Sequence, residues 1–431
     1  MPLNILILGA GVAGPSLATM LLSNPATATN FHITIVERST SLRQGGQQID
    51  IRAQGIPVVK RMGLLQTIKD RCANEKGMAL LNTRGEMKAF LGTNDTGSGP
   101  QGLSSEYEIL RGELVDLLYH ESLARAQNKA NDGVEVLKYE FGKYAKEIAQ
   151  HGDGVHVDFS DGTSGDFDLV VGADGYSSRT RRMVFGEDVS AAAFRSLGVY
   201  NVFFNAPLNP AVEDDVYVGK ICHFPGKRVV ATRTNNMPYT QAFFSTMAPS
   251  PELVDVVPKG MQAIEAQKAA WEACFRGAGW RSDELLDAMR TTDDFYTHVS
   301  GQVKLDKWHK GRVVLLGDAG YCPSPNSGMG TTTALVGCYI LAGELMRHGK
   351  DVGAALEGYE RVLRPFVEEA QTLPPGIPKM IYYDTKWGIW LLHLILGAFT
   401  CLRLDKLLYR MLPEQNGDWK LPEYPELDLS R

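Results

Sequence analysis

The chain has 431 residues and a formal net charge of −6. This length exceeds one ordinary core, so it predicts two domains or one large domain with a cap. Lys and Arg are scattered along an acidic chain, which excludes a nucleic-acid surface and favours a small-molecule partner. The six cysteines form no C-x-x-C pair and no metal-spaced cluster with histidine, so neither a disulfide framework nor a metal site is predicted.

The first forty residues have the pattern of a βαβ unit. Residues 4–8 predict a buried strand, residues 15–22 a helix, and residues 32–36 a second strand. Later segments are predicted to return the chain to the same layer: a helix at 108–125 and strands near 134–137, 154–159 and 167–171.

A second pattern occupies the middle of the chain. Between about 195 and 247 apolar and polar residues alternate, with a turn at 224–227, and this predicts an antiparallel sheet. A parallel-type apolar strand resumes at 313–316. The second domain is therefore predicted to be inserted within the first.

A glycine-rich turn follows the first strand. Gly9, Gly11 and Gly14 form G-x-G-x-x-G, and Glu37 ends the next strand. These glycines permit a tight turn, close approach of a pyrophosphate, and close packing of helix on strand, while an acid at Glu37 accepts from ribose hydroxyls. The pattern predicts NAD or FAD over NADP. Arg38 either lies along the adenine or is a solvated charge at the strand end.

Two further constellations follow apolar strands. In VVGADGYSSR (170–179) Asp174 and Gly175 come directly after a strand, and Gly317 and Asp318 do the same in GRVVLLGDAGYCPSPNSGMG (311–330). These resemble the DG and GD motifs of the group A flavoprotein monooxygenases, the para-hydroxybenzoate hydroxylase superfamily, and the resemblance runs from residue 1 to about 370. GGQQIDIR (45–52) and EILRGEL (108–114) are similar to signatures of TetX-like tetracycline-inactivating enzymes and fungal secondary-metabolite monooxygenases.

The resemblance implies an α/β fold. It consists of a Rossmann-like FAD-binding domain, an inserted antiparallel-sheet substrate domain and a C-terminal helical segment. The implied division is 1–75, 105–185 and 286–370 for the FAD-binding domain, 76–104 and 186–285 for the substrate domain, and 371–431 for the helical region.

The later motifs also imply contacts with FAD. Asp318 would accept from a ribityl hydroxyl, and a helix starting near Gly330 would point its positive end at the flavin pyrimidine edge. Asp174 is either a ligand or a structural anchor. The full set of implied cofactor-binding residues is Gly9, Gly11, Gly14, Glu37, Arg38, Arg43, Asp50, Arg111, Asp174, Gly317, Asp318, Pro323, Gly328 and Gly330.

Individual roles within this set differ. By the resemblance, Arg111 contacts the flavin or its pyrophosphate, Asp50 lies beside the cofactor, and Arg43 suits a nicotinamide phosphate. Many relatives have Ala-His after the GD aspartate, whereas this chain has Gly320-Tyr321. Because of this departure, the resemblance does not predict how the protein tunes the redox properties of the flavin.

The implied activity is hydroxylation. NADPH or NADH reduces FAD, O2 gives a C4a-hydroperoxyflavin, and an aromatic, polyketide-like or related secondary metabolite is hydroxylated. The inserted sheet is expected to contact the substrate. The candidates on its inward face, each of them either a substrate contact or plain core, are Phe203, Tyr217, His223, Phe224 and Arg233. Tyr217 or His223 is the candidate catalytic residue that orients or deprotonates a phenolic or enolic oxygen.

Two other functions stay open: a flavin-dependent reductase or desaturase acting on a lipid-like substrate, and a non-catalytic flavin-binding regulator. A flavin halogenase is disfavoured because no W-x-W-x-I-P segment is present.

An apolar stretch lies near the C-terminus. Residues 388–402 (GIWLLHLILGAFTCL) are almost continuously apolar, with Lys386 before them and Arg403 and Lys406 after. The stretch is shorter than the roughly 20 residues of a spanning helix, so it either packs across the domains or inserts peripherally into a membrane. No secretory signal is visible, which predicts a cytoplasmic protein, with or without membrane association. The expected oligomeric state is a monomer or weak dimer.

Overall fold

The structure of the chain is a computed structural model. The residues that it describes are 2–24, 30–43, 45–93, 107–127, 135–210, 215–234, 237–404 and 419–427.

The described residues contain parallel and antiparallel strands. The strands are β1 (Leu3–Leu8), β2 (Phe31–Glu37), β3 (Gln48–Asp50), β4 (Gly77–Leu81), β5 (Met87–Gly92), β6 (Glu108–Leu110), β7 (Leu137–Phe141), β8 (Ala145–His151), β9 (Gly154–Phe159), β10 (Ser164–Phe167), β11 (Leu169–Gly172), β12 (Phe194–Pro207), β13 (Val218–Phe224), β14 (Arg228–Arg233), β15 (Tyr239–Thr246), β16 (Phe295–Val303), β17 (His309–Lys310) and β18 (Val313–Leu315).

Helices cover both sheets. They are α1 (Ala13–Leu21), α2 (Gly55–Arg61), α3 (Leu65–Asp70), α4 (Arg111–Gln127), α5 (Arg179–Phe185), α6 (Glu187–Ala193), α7 (Pro251–Val256), α8 (Ile264–Phe275), α9 (Ser282–Thr291), α10 (Asp318–Tyr321), α11 (Gly330–His348), α12 (Val352–Ala370) and α13 (Lys386–Cys401).

A six-stranded sheet forms the first layer. Its order is β17-β18-β11-β1-β2-β7, and every neighbouring pair is parallel except β17 with β18. In β1 the side chains of Ile5 and Ile7 enter the core shared with α1, α4 and α11, and those of Leu6 and Leu8 enter the core shared with β8–β10. Because both faces are buried there, residues 5–8 of this strand form a continuous apolar run in the sequence.

A seven-stranded sheet forms the second layer, in the order β16-β12-β15-β14-β13-β4-β5. All its pairs are antiparallel except β13 with β4. One face packs on α7, α8 and α9 through a core that includes Val202, Phe224, Phe244 and Trp271. The other face is turned toward the parallel-sheet domain, and we call it the cleft face.

Some predicted elements differ from the structure. The predicted helix at 108–125 was wrong at its start, because residues 108–110 form β6, which pairs with β3, and the helix begins only at Arg111. The strand predicted at 154–159 lies in a separate sheet with β8 and β10 instead of the parallel layer.

The inserted sheet extends beyond the predicted segments. β16 pairs with β12, so strand residues 295–303 continue the sheet past the predicted boundary at 285. β4 and β5 are part of this sheet, while residues 94–104 of the predicted segment 76–104 lie outside the described residues.

The apolar stretch near the C-terminus is helix α13, which packs on β5 and β13. Only Ile389 of this helix is buried. Among the described helices, none combines the length and the hydropathy that crossing a bilayer requires. Lys406, one of the predicted flanking charges, lies outside the described residues.

Candidate active site

The three glycine and aspartate motifs meet at one edge of the parallel sheet. They follow β1, β11 and β18, whose carboxyl ends point the same way because the strands are parallel. A Cβ on Gly9 would lie 2.5 Å from the carbonyl oxygen of Ala173, and one on Gly317 would lie 3.7 Å from Cβ of Ala13. Motifs more than a hundred residues apart in the sequence are therefore packed against one another.

The first motif builds the tight turn before α1. Gly9 has φ +120°, and a Cβ on Gly14 would lie 2.1 Å from the Gly9 carbonyl oxygen, so neither position admits a side chain. A Cβ on Gly11 would meet only Nη2 of Arg111, at 3.9 Å. α1 begins at Ala13 without a side-chain cap from Val12. Its first backbone N–H groups, next to the Arg111 guanidinium, suit a pyrophosphate.

Glu37 supports this turn. Its carboxylate accepts a hydrogen bond from the backbone N–H of Ala10 at 3.0 Å and another from Ser39 at 2.9 Å. Carboxylate oxygens have further lone pairs, so the group can also accept from ribose hydroxyls. The neighbouring Arg38 is exposed.

Asp174 of the second motif organises its own loop. One carboxylate oxygen accepts from the Ser178 hydroxyl at 2.5 Å, and the other accepts from the backbone N–H groups of Arg179 and Thr180 at 2.8 and 3.0 Å. These bonds cap the start of α5. The described contacts of Asp174 are therefore those of a structural anchor.

Asp318 of the third motif faces the start of α11. Its Oδ1 would lie 3.9 Å from a Cβ on Gly330. Burial raises the pKa of Asp318, while a hydrogen bond with Cys322 and the attraction of Arg111 act in the opposite direction. α11 begins at Gly330 with no side-chain cap from Met329, so its positive end faces this region.

The loop between α10 and α11 is closely held. Gly328 has φ +66°, and a Cβ there would lie 3.5 Å from the guanidinium of Arg52. Pro323 is buried, and its carbonyl accepts from Gln302 at 3.2 Å. Asp50 forms an ion pair with Arg52 at 2.5 Å, which places Asp50 next to this loop.

The two predicted arginines lie on the cleft side. A Cβ on Gly46 would contact the Arg111 side chain at 3.4 Å, so residues 45–47 pass over that arginine. Arg43 is exposed and donates to the Ser39 hydroxyl at 3.2 Å. Both guanidinium charges act on the phenol of Tyr296, which marks them as neighbours of the cleft face.

An aromatic cluster lies on the cleft face. The rings of Phe203 and Phe243 are 4.6 Å apart, His298 stacks on Phe203 at 5.8 Å, and Tyr296 stacks on His298 at 5.2 Å. Tyr176, which follows the DG motif, packs edge-on against His298 at 6.1 Å. The electrostatic neighbours of Tyr296 include Arg111 and Asp318, so this cluster borders the site where the motifs meet.

His298 is the imidazole inside this cluster. It is buried, and its Nδ1 has no hydrogen-bond partner within the described residues. Burial lowers the pKa of His298 to about 4, so the imidazole is neutral near pH 7. A neutral imidazole can exchange a hydrogen bond with a bound molecule.

The predicted catalytic residues lie outside this aromatic cluster. Tyr217 is half-buried just before β13, where its ring contacts Lys76. His223 is buried against Tyr383 and close to His393 of α13, and burial lowers its pKa to about 4. Phe224, expected on the inward face, belongs instead to the core under α7–α9 because it points to the opposite side of β13 from His223. Of the five residues expected to contact substrate, Phe203, His223 and Arg233 lie on the cleft face, but His223 is at the part of that face that Tyr383 and α13 cover.

Sequence reasoning missed Tyr176, Tyr296 and His298. One signal was available: the alternation in FYTHVSG places Tyr296 and His298 on one side of a strand. The predicted division places these residues in the FAD-binding domain, whereas the strand pairs with β12 of the inserted sheet.

Comparisons with known proteins agree with this geometry. The model of the FAD binding domain family matches residues 3–372. The chain is 38% identical over 431 residues to the FAD-dependent monooxygenase asL6 of Sarocladium schorii, covering 100% of both chains, and 33% identical over 428 residues to the monooxygenase CTB7 of Cercospora beticola, covering 98% and 97%. Among solved structures it is similar to tetracycline destructase Tet(51), with a TM-score of 0.75, 28% identity, and coverage of 98% and 100%.

The chain therefore belongs to the FAD binding domain family. It is an FAD-dependent monooxygenase, related over its full length to monooxygenases of fungi. FAD is its cofactor, and NAD(P)H and O2 are its cosubstrates, as in the family generally. The predicted recognition, fold class and cofactor are confirmed.

Proposed function

We propose that this monooxygenase hydroxylates an electron-rich, largely apolar ring compound, of the aromatic or polyketide-like class, held between the flavin loop and the cleft face. The observation that carries the proposal is the aromatic cluster of Phe203, Phe243, Tyr296 and His298 next to Asp318 and Arg111. Stacked rings bind a planar apolar molecule and exclude water from it.

The cofactor contacts are part of this proposal. Gly9, Gly11 and Gly14 with the start of α1 would hold the pyrophosphate, Glu37 the ribose, and Asp318 the ribityl chain. When bound, FAD supplies the electron transfer and oxygen activation. The protein positions the substrate, keeps water out and offers a neutral imidazole at His298.

The assignment of a catalytic role to Tyr217 or His223 remains a prediction. The described contacts of His223 are with the C-terminal segment, whereas His298 lies in the aromatic cluster. We therefore expect His298→Ala to disturb substrate handling more than His223→Ala. NAD(P)H oxidation and peroxide release, measured for both variants, compare the two positions.

The experiment that tests the activity uses the FAD-loaded chain with a panel of aromatic polyketides, indoles and tetracyclines. A substrate should accelerate NAD(P)H consumption and acquire one oxygen atom from labelled O2. Release of peroxide alone with every compound would contradict hydroxylation. Turnover of lipid-like substrates without O2 would favour the alternative, a reductase or desaturase.

We also propose that the chain contacts membranes peripherally through α13. Many of the exposed large apolar side chains of the described residues gather on α13 and the adjoining β5 and flanks: Met87, Phe90, Met380, Trp387, Trp390, Leu394, Ile395, Leu402 and Leu404. The exposed cations Lys379, Lys386 and Arg403 accompany them, which suits an anionic lipid surface.

Vesicle flotation tests this contact. The chain should float with vesicles that contain phosphatidylserine, and a Trp390→Ser, Leu394→Ser double variant should stay at the bottom of the gradient. Val254→Ser is the matched control, because Val254 is also an exposed apolar residue, at 44%, but lies on α7. Equal flotation of all three proteins, or of none, would contradict the proposal.

A further inference from the structure

A short two-stranded sheet carries polar side chains toward the cleft face. In β3 and β6, Asp50 pairs with Glu108, and Gln48 lies two residues before Asp50, so these side chains share one face. Ile109 on the opposite face is part of the core of the parallel-sheet domain. The polar face is therefore directed at the second sheet.

Arg233 at the end of β14 meets this polar face. Its Nη1 donates to Glu108 and, at 2.5 Å, to Gln48, while its Nε lies 3.5 Å from Glu75. Its cross-strand partner Gln241 donates to the Gly46 carbonyl at 2.9 Å. The two residues join the inserted sheet to the flavin-side segment 46–48.

The Glu108–Arg233 pair has hydrogen-bonding capacity that the described residues leave unused. Oε2 of Glu108 and Nε2 of Gln48 are buried and have no hydrogen-bond partner among the described residues. In the same part of the chain, the hydrogen bond recorded for Nη2 of Arg233 is the long one to the Met78 sulfur, at 3.8 Å. Buried polar atoms normally have partners. Oε2 of Glu108 and Nη2 of Arg233 belong to the two groups that the Nη1–Oε1 hydrogen bond joins, so this acceptor and this donor together point to a bound polar group.

The pair lies beside the flavin site. Glu108 immediately precedes the segment that leads to Arg111, whose guanidinium is next to Gly11. Asp50, opposite Glu108, is ion-paired with Arg52, which contacts the Gly328 loop. The side chain of Arg233 is 23% exposed and that of Glu108 is 7% exposed, so the arginine is the more open member of the pair.

We propose that Glu108 and Arg233 form a subsite for an acidic hydroxyl, phenolic or enolic, on the substrate. The proposal rests on the proposed function and names the polar group that its substrate carries. Oε2 of Glu108 takes the hydroxyl proton, the O–H bond breaks with its electron pair staying on oxygen, and the oxyanion accepts a hydrogen bond from Nη2 of Arg233. A ring oxyanion makes the attacked carbon more electron-rich.

The charges around the pair allow this transfer. The charges of Arg233, Glu75 and Asp50 act on Glu108, and Asp50 is itself paired with Arg52. Moving a proton from the hydroxyl to Glu108 leaves the net charge of this cluster and the bound molecule unchanged. Burial raises the pKa of Glu108 to about 7, Arg233 opposes the rise, and Glu75 and Asp50 add to it. A phenol or enol whose own pKa is lowered to near neutrality can therefore pass its proton to Glu108 without a large change in free energy.

The experiment uses the FAD-loaded full chain and two probes, 4-nitrophenol and 4-nitroanisole, which differ in the ionisable hydroxyl. Binding is followed by the perturbation of the flavin spectrum and by the phenolate absorption of the first probe. We expect wild type to bind 4-nitrophenol at least about 10-fold more tightly than 4-nitroanisole and to hold it as the phenolate. Glu108→Gln should reduce this preference to about 3-fold or less and abolish the bound phenolate signal.

Two more variants separate a binding role from a structural one. Arg233→Lys keeps the positive charge but loses the second planar nitrogen, so it should weaken 4-nitrophenol and leave 4-nitroanisole unchanged. Glu113→Gln is the matched control. Glu113 lies in the first turn of α4, five residues after Glu108, and its side chain is 49% exposed, so this variant should behave as wild type.

Two results would overturn the subsite: no preference for 4-nitrophenol in wild type, or a Glu108→Gln variant that keeps the wild-type preference. The proposed function fails separately, through absence of oxygen transfer to any substrate.

Discussion

Replacing Gly14 or Gly11 of the first motif by alanine should affect two different properties, the stability of the FAD-free chain and the affinity for FAD. In Gly14→Ala the new Cβ would lie 2.1 Å from the Gly9 carbonyl oxygen, a backbone atom. An ordinary contact is about 3.5 Å, so α1 and the turn must separate by about 1 Å. Overpacking of this kind costs about 1–3 kcal/mol. The melting temperature of the FAD-free chain should fall by several degrees.

Gly11→Ala is the matched variant. Its Cβ would meet only Nη2 of Arg111, at 3.9 Å, so the FAD-free chain should melt as wild type does. The added methyl occupies the approach of the pyrophosphate. Loss of one charge-assisted hydrogen bond costs about 1.5–3 kcal/mol, so FAD affinity should fall roughly 10- to 100-fold.

Thermal unfolding of the FAD-free proteins and fluorescence titration with FAD measure the two effects separately. The reasoning is refuted if Gly14→Ala melts as wild type does, or if Gly11→Ala retains wild-type affinity for FAD.

Three further predictions follow from individual carboxylates. Asp174→Ala removes the cap of α5 and should lower the unfolding free energy of the FAD-free chain by about 1–2 kcal/mol, measured by urea unfolding. Asp318→Ala should leave that free energy unchanged or raise it, because burial already disfavours the charged group, but should weaken FAD in titrations. The pKa of Glu108 rises from 4.5 to about 7 on folding, so its contribution to stability is full below 4.5 and is lost as the pH rises to about 7. Urea midpoints measured across this window should fall for wild type relative to Glu108→Gln; parallel pH profiles would contradict the assignment.

The parallel-sheet half of the site was predictable from the sequence. Gly9, Asp174 and Asp318 each follow an apolar run, and the carboxyl ends of parallel strands gather at one edge of a sheet. Local pattern and one general rule were sufficient there.

The cleft face was not predictable in this way. Phe203 meets His298, and Arg233 meets Glu108, only because of strand pairing and domain packing between residues about a hundred positions apart. The residue types within one strand do not reveal which strand it pairs with or in what register. The sequence therefore could not show that Tyr217 and His223 lie away from His298. The strand at 108–110 was missed because it continues directly into α4, and its apolar residues fit both periods.

The central claim is that the three motifs form one FAD site, and an equilibrium titration of the FAD-free chain with FAD tests it most directly. Wild type should reach one FAD per chain, and Gly11→Ala and Asp318→Ala, altered in different motifs, should each weaken that same single site. A wild-type chain that binds no FAD in the titration, or variants that both bind as wild type does, would contradict the account.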